Sequence, residues 1–254
     1  MSDLYITILI GFFVGGTAGY LGAIMVMKRM SLVGDALSHV ALPGMALGLV
    51  YDFNPFIGAL FFLVFGIFII WKLEKITKLP VENLVGIIFT ASLAVGILIT
   101  PEPELIEALF GDISSIRSFD LPLIVIFSIV IFFFTKFISK KVIFSVVSDD
   151  LARSRGINTD FYNLAYLLMV AAVVALGVKF VGSLLMGALV IIPAAASKNA
   201  TKTFNQYSYG AAIIGGFSAV LGIILSDIFA FPSGAAIVLV AVFIFVLMLK
   251  WKRN

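Results

Sequence analysis

"MKRMSLVGDALSHVALPGMALG", residues 27–48, contains a basic pair (Lys28, Arg29), a carboxylate (Asp35), the single histidine of the chain (His39) and a proline (Pro43) leading into apolar sequence. The basic pair ends an uninterrupted apolar run over 4–27. The run that follows is long enough to cross a bilayer only if Asp35, His39 and Pro43 are counted within it. Whether these three residues are membrane or loop therefore decides the architecture.

The surroundings favour membrane. Of 254 residues, 62% are hydrophobic and 12% charged, with a mean hydropathy of +1.18. A soluble domain is nearer half apolar and about a quarter charged. Apolar runs of roughly 20 residues, the length of a hydrocarbon core, recur to the C-terminus. The sequence predicts an all-α, polytopic transmembrane helix bundle with candidate spans at 4–27, 34–51, 54–71, 82–100, 119–137, 160–178, 181–197, 208–226 and 231–249. The second and seventh are short or interrupted by proline, so the count is eight or nine. The first run lacks a basic leader and a small-residue cleavage site, and reads as a retained span. The whole chain, 1–254, reads as one transmembrane domain with no soluble module.

Charge orients the bundle. With the N-terminus outside and nine alternating spans, all of the 17 Lys and Arg residues except Arg117 and Lys179 fall inside, together with the C-terminus. That asymmetry is the positive-inside pattern. The net charge of +3 is explained by it, and no nucleic-acid partner is expected. The chain has no cysteine, which excludes disulfides and thiolate metal sites.

Small residues recur at four-residue intervals: Gly11, Gly15, Gly19 and Ala23 in the first span, Ala211, Gly215 and Ala219 in the eighth, and Ser183 with Gly187 in the seventh. Such ridges let helices approach closely and speak for a compact bundle rather than for a substrate.

Asp35 and His39 are the chemical anomaly. On a helix, positions i and i+4 share a face. A carboxylate within the bilayer costs several kcal/mol and marks a pathway by default. One oxygen and one imidazole donor suit Zn²⁺, Mn²⁺ or Fe²⁺. Pro43 withdraws the amide that would bond the His39 carbonyl, leaving it as a further ligand or a hinge. Met45 offers a thioether or an apolar plug, but lies off the Asp35 face unless the proline bends the path. The alternative is structural: a helix-start carboxylate near Lys28 and Arg29, and a satisfied interior histidine. Two ligands do not close a site, so others must come from another helix, from water or from a second copy of the chain.

Two rival functions stand beside metal transport. A secondary transporter or channel would use Asp35 and His39 as a proton relay, but no inverted repeat is evident. An intramembrane protease would need HExxH, impossible with one histidine, or a serine in a GxSxG context, which is absent.

"RMSLVGDALSHVALPGMALG" resembles the signature of the permeases of metal-uptake ABC transporters, the zinc and manganese importers of bacteria. The likeness continues through "VENLVGIIFTASLAVGILI", "ALFGDI", "SDDLARSRGI", "VGSLLMGALVIIPAAAS" and "SDIFAFPSGAAIVLV", covering roughly residues 10 to 245. It implies a homodimeric permease in a bacterial cell membrane, driven by two cytoplasmic ATPase subunits and fed by an extracytoplasmic metal-binding protein. It also implies that Asp35 and His39 lie on the metal path. Zinc or manganese is cargo and no permanent cofactor is implied. The chain has no GxxxxGK[ST] loop, in keeping with hydrolysis by a partner.

Residues 145–160, "SVVSDDLARSRGINTD", predict a short helix between spans. Ser148 suits the N-cap, Asp149 and Asp150 the first turn, Arg153 and Arg155 the last, and Gly156 the stop, around Leu151, Ala152 and Ser154. The resemblance makes 148–156 the coupling helix that touches the ATPase; an ordinary solvated connector would carry the same caps. The outer loop 101–115, with Glu102, Glu104, Glu107 and Asp112, would concentrate cations or dock a basic surface. Pro193 is expected to kink or end the seventh span, and Pro232 to open the last.

Overall fold

The computed structural model describes residues 2–99, 120–183 and 185–250. The acidic outer loop and Arg117 lie outside the described residues. Those residues form helices and no strand: α1 (Ser2–Met27), α2 (Val33–Val40), α3 (Leu42–Val50), α4 (Pro55–Thr77), α5 (Val81–Ile99), α6 (Asp120–Val147), α7 (Asp149–Ser154), α8 (Thr159–Val181), α9 (Met186–Ala200), α10 (Phe204–Phe229) and α11 (Ser233–Leu249). Seven stretches among them are long and apolar enough to cross a membrane, counting Val33–Val50 as one, and α11 is a shorter apolar helix.

The small-residue ridges of α1 and α10 meet. A Cβ on Gly15 would stand 2.6 Å from the Gly215 carbonyl oxygen, and one on Gly19 would collide with the Ala211 carbonyl. Gly11 faces Ala219, 3.5 Å from where its Cβ would be. Between lipid-bathed helices there is no water to expel, so dispersion at close backbone range supplies the attraction. The α3–α4 hairpin repeats the device, with the backbones of Gly44 and Gly58 in mutual contact. Its turn is set by Asn54, whose side chain accepts the Phe56 N–H at 3.0 Å, and by Pro55 at the first helical position.

α8 runs through the middle, against α1, α4 and α6. Its Tyr166 is fully buried, and the hydroxyl meets its need by donating to the Leu21 carbonyl at 3.1 Å. α5 is the opposite case: it packs on α2, α3 and α4 but buries only Leu84, Val85 and Gly96.

Three details sharpen the expectations. The second span is broken, as its proline suggested, the chain turning at Ala41 between α2 and α3. Pro43 is the cause and sits in the first turn of α3, where its missing N–H costs little. Pro193 does not end its helix; α9 continues past it to Ala200 with Pro193 buried. The fifth span, expected to end at 137, runs on as α6 to Val147.

Candidate metal site

α2 is a two-turn helix with no side-chain cap, Asp35 in its first turn and His39 in its last. The carboxylate there faces the positive end of the helix dipole. Being four apart on one unbroken helix, the two side chains share a face. Asp35 is half-buried and His39 is 8% exposed. The imidazole ring tilts against Phe89 of α5, centroids 5.2 Å apart at 51°.

Two observations bear on the structural alternative. A satisfied interior histidine would have both ring nitrogens paired, whereas Nδ1 of His39 is buried with no hydrogen-bond partner. A helix-edge carboxylate held by local cations would show an ion pair. The ion pairs among the described residues all involve Asp149 or Asp160 and none involves Asp35. Lys28 is turned away, donating to Asn163 Oδ1 at 2.6 Å, and Arg29 is exposed. Among the described residues, then, His39 Nδ1 has no hydrogen-bond partner and Asp35 no ion pair.

Pro43 does withdraw the i+4 donor from the His39 carbonyl, but the Ala41 N–H turns to that oxygen at the end of α2. The carbonyl is therefore less free than the sequence suggests. Met45 lies beyond the turn, in α3, partly buried against the main core. No group of three His, Asp or Glu residues among those described is placed to hold a metal.

The surroundings of the pair were not legible in the sequence. Ser38, fully buried between Asp35 and His39, places its hydroxyl 2.6 Å from the Asp35 carbonyl and 2.5 Å from that of Ser183, in the turn between α8 and α9. Gly187 of α9 lies directly on Asp35. The only sequence signal for these was the Ser183/Gly187 spacing, which read as a generic packing ridge. Phe89 gave none.

The predicted short helix is present. Ser148 is its N-cap, accepting the Leu151 N–H at 3.3 Å, and Gly156 follows with φ 75°, where glycine is favoured. Arg153 bridges Asp149 at 2.8 Å and Asp160 at 2.9 Å. The hydrogen bond from Arg153 holds the Asp149 carboxyl below its ordinary range. Ala152 is buried, while Asp150, Leu151, Ser154 and Arg155 present an exposed face. Nearby, burial pushes the Lys28 ammonium down to about 8, against the favourable fields of Glu74 and Asp149.

Comparison with known proteins gives a consistent picture. Residues 3–252 match the family described as the ABC 3 transport family. The chain is 34% identical over 245 residues to the high-affinity zinc uptake system membrane protein ZnuB of Haemophilus influenzae, covering 92% of this chain and 91% of that one. It is 31% identical over 236 residues to the manganese transport system membrane protein MntC of Listeria monocytogenes, covering 91% and 84%. Among solved structures it is similar to PsaBC from Streptococcus pneumoniae in complex with Fab. The TM-score is 0.86 at 26% identity, with 98% of this chain and 91% of that chain covered.

Proposed function

The chain belongs to the ABC 3 transport family, a multi-pass bacterial membrane protein of the metal-transport type, and from that premise we propose that it is the permease subunit of an ATP-driven zinc or manganese importer. The observation that carries the reading is the buried, unpaired Nδ1 of His39 one helical turn from an Asp35 free of ion pairs. Such a pair is costly inside a membrane protein unless a cation repays it.

Asp35 and His39 are the metal ligands of one subunit. Two copies of the chain facing each other would bring four, a set that suits tetrahedral Zn²⁺ and, with water, Mn²⁺. A sparse, transient site also releases its ion, as a transporter must. Met45 joins the path only through the bend at Ala41. The N-terminus lies outside and the C-terminus in the cytoplasm, with eight or nine crossings. An extracytoplasmic binding protein delivers the ion, and alternating access moves it.

Residues Ser148–Gly156 face the cytoplasm and receive the ATPase subunits, one per permease copy. The exposed row of Asp150, Leu151, Ser154 and Arg155 is the contact, and the Arg153 bridges keep the helix fixed to α8.

Reconstitution tests the class. With its ATPase and binding-protein partners, the chain in liposomes should accumulate zinc or manganese only with ATP present. Accumulation by the chain alone, driven by a pH gradient, would contradict the proposal and favour a proton-coupled carrier.

A further inference from the structure

The α8–α9 junction touches the helix that carries Asp35 and His39 at two points, and both are unusual. Ser38, sited between the two candidate ligands, points its hydroxyl at the Ser183 carbonyl, 2.5 Å away and 145 residues distant in sequence. Ser183 and Ser38 are both fully buried, so nothing from solvent competes for that bond. One turn into α9, a Cβ on Gly187 would stand 2.5 Å from Asp35 Cβ and 2.7 Å from both its Cα and Oδ1. Val190, on the same side of α9, lies 3.7 Å from where a Cβ on Gly34 would be, and its carbonyl is against Gly22 of α1. α2 is therefore seated in a cradle whose floor is Gly187 and whose catch is Ser183.

We propose that Ser38, Ser183 and Gly187 are positioning residues that fix the rotation of α2, and so set the direction in which the two metal ligands face and the preference among divalent ions. This inference rests on the reading of Asp35 and His39 as the metal pair. Hydrogen bonds and packing behind a ligand orient it where its own helix is too short to be stiff. α2 has eight residues and no side-chain cap, so its orientation must come from outside.

The catch is also built to open. Ser38 carries one proton and two acceptors, the Ser183 carbonyl across the interface and the Asp35 carbonyl within its own helix at 2.6 Å. If α2 swings away from α9, the hydroxyl keeps the Asp35 carbonyl as partner and no buried donor is stranded. A bond that can be exchanged rather than lost removes most of the penalty for movement.

The test uses the permease–ATPase complex in lipid nanodiscs, without the binding protein, titrated with zinc and with manganese against a fluorescent chelator. Ser38→Ala and Gly187→Ala are compared with the native complex and with the Asp35→Ala/His39→Ala double variant. Ser38→Ala should weaken binding of at least one metal on the order of 10-fold and displace the zinc-to-manganese ratio, with the amount of assembled complex unchanged. Gly187→Ala, if it assembles, should do the same. Native affinities and an unaltered ratio in Ser38→Ala, with the double variant no longer binding, would overturn the cradle while leaving the metal pair in place. Native complex indistinguishable from the double variant would overturn the metal pair and the cradle with it.

Discussion

Gly187 lies so close to Asp35 that any side chain there would place its Cβ 2.7 Å from the carboxylate Oδ1. A packing glycine and the acidic member of the candidate pair are thus one contact. Small residues do the same elsewhere in the bundle, bringing backbones together where α1 meets α10 and α3 meets α4. Their spacing creates the bundle, and one of them shapes the site.

The α1–α10 contact is the most direct test of the packing. Gly15→Leu or Gly215→Leu drives a side chain into a carbonyl of the other helix and should destabilise the protein by about 1–3 kcal/mol or more. Gly16→Ala meets only the Ala212 carbonyl oxygen at 3.5 Å, an ordinary contact, and should be tolerated. Thermal unfolding in detergent checks this; equal midpoints for the three variants would refute the interface.

Lys28 supplies a pH signature. It titrates near 10.5 when unfolded and at about 8 in the folded protein, where burial opposes its charge. Between those values the unfolded chain holds more protons, so stability rises with pH across that window, and the cost of the buried charge is fully present below it. The unfolding midpoint of the native protein should climb from pH 8 to 10 more steeply than that of Lys28→Met. Parallel curves would show that Lys28 is not buried as described.

The helix at 149–154 is too short to hold itself, so its cap matters. Ser148→Ala removes the acceptor of the Leu151 N–H and should cost about 1 kcal/mol locally. Hydrogen exchange at Leu151 should quicken and metal-dependent ATP turnover fall, while zinc or manganese binding at Asp35 and His39 stays native. Unchanged exchange would mean that the cap is not formed.

Met45→Leu separates thioether from packing. Met45 is partly buried against the main core, and the swap preserves volume, so stability should change by less than about 1.5 kcal/mol. Uptake of both metals should remain near native. A selective loss of one metal would bring the sulfur onto the path.

The outline of this fold is read directly from hydropathy and spacing. α1, α4, α5, α8 and α10 fall where apolar runs predict them, and the two small-residue ridges that stand out in the sequence are the two that meet. The Asp35–His39 face and the Ser148 cap are equally visible, because both depend on neighbours within one helical turn. What the sequence hides is contact between distant segments. Nothing local ties Ser38 to Ser183, or Phe89 to His39, since the bonds form only after α5 and α9 have packed on α2. Pro43 and Pro193, each expected to break or bend its span, behave differently: the chain turns just before Pro43, while α9 continues through Pro193. A proline ends a helix only when its neighbours do not hold the helix together, and the walls around α9 do.

Isotope uptake by cells producing the complete transporter, comparing native protein with Asp35→Ala/His39→Ala, tests the account at its centre. Because His39 must be neutral to bind a metal, native uptake should also decline on acidification. The double variant should assemble with its partners in native amounts and import neither zinc nor manganese at any pH. Import at the native rate by that variant would contradict the claim that these two side chains carry the ion.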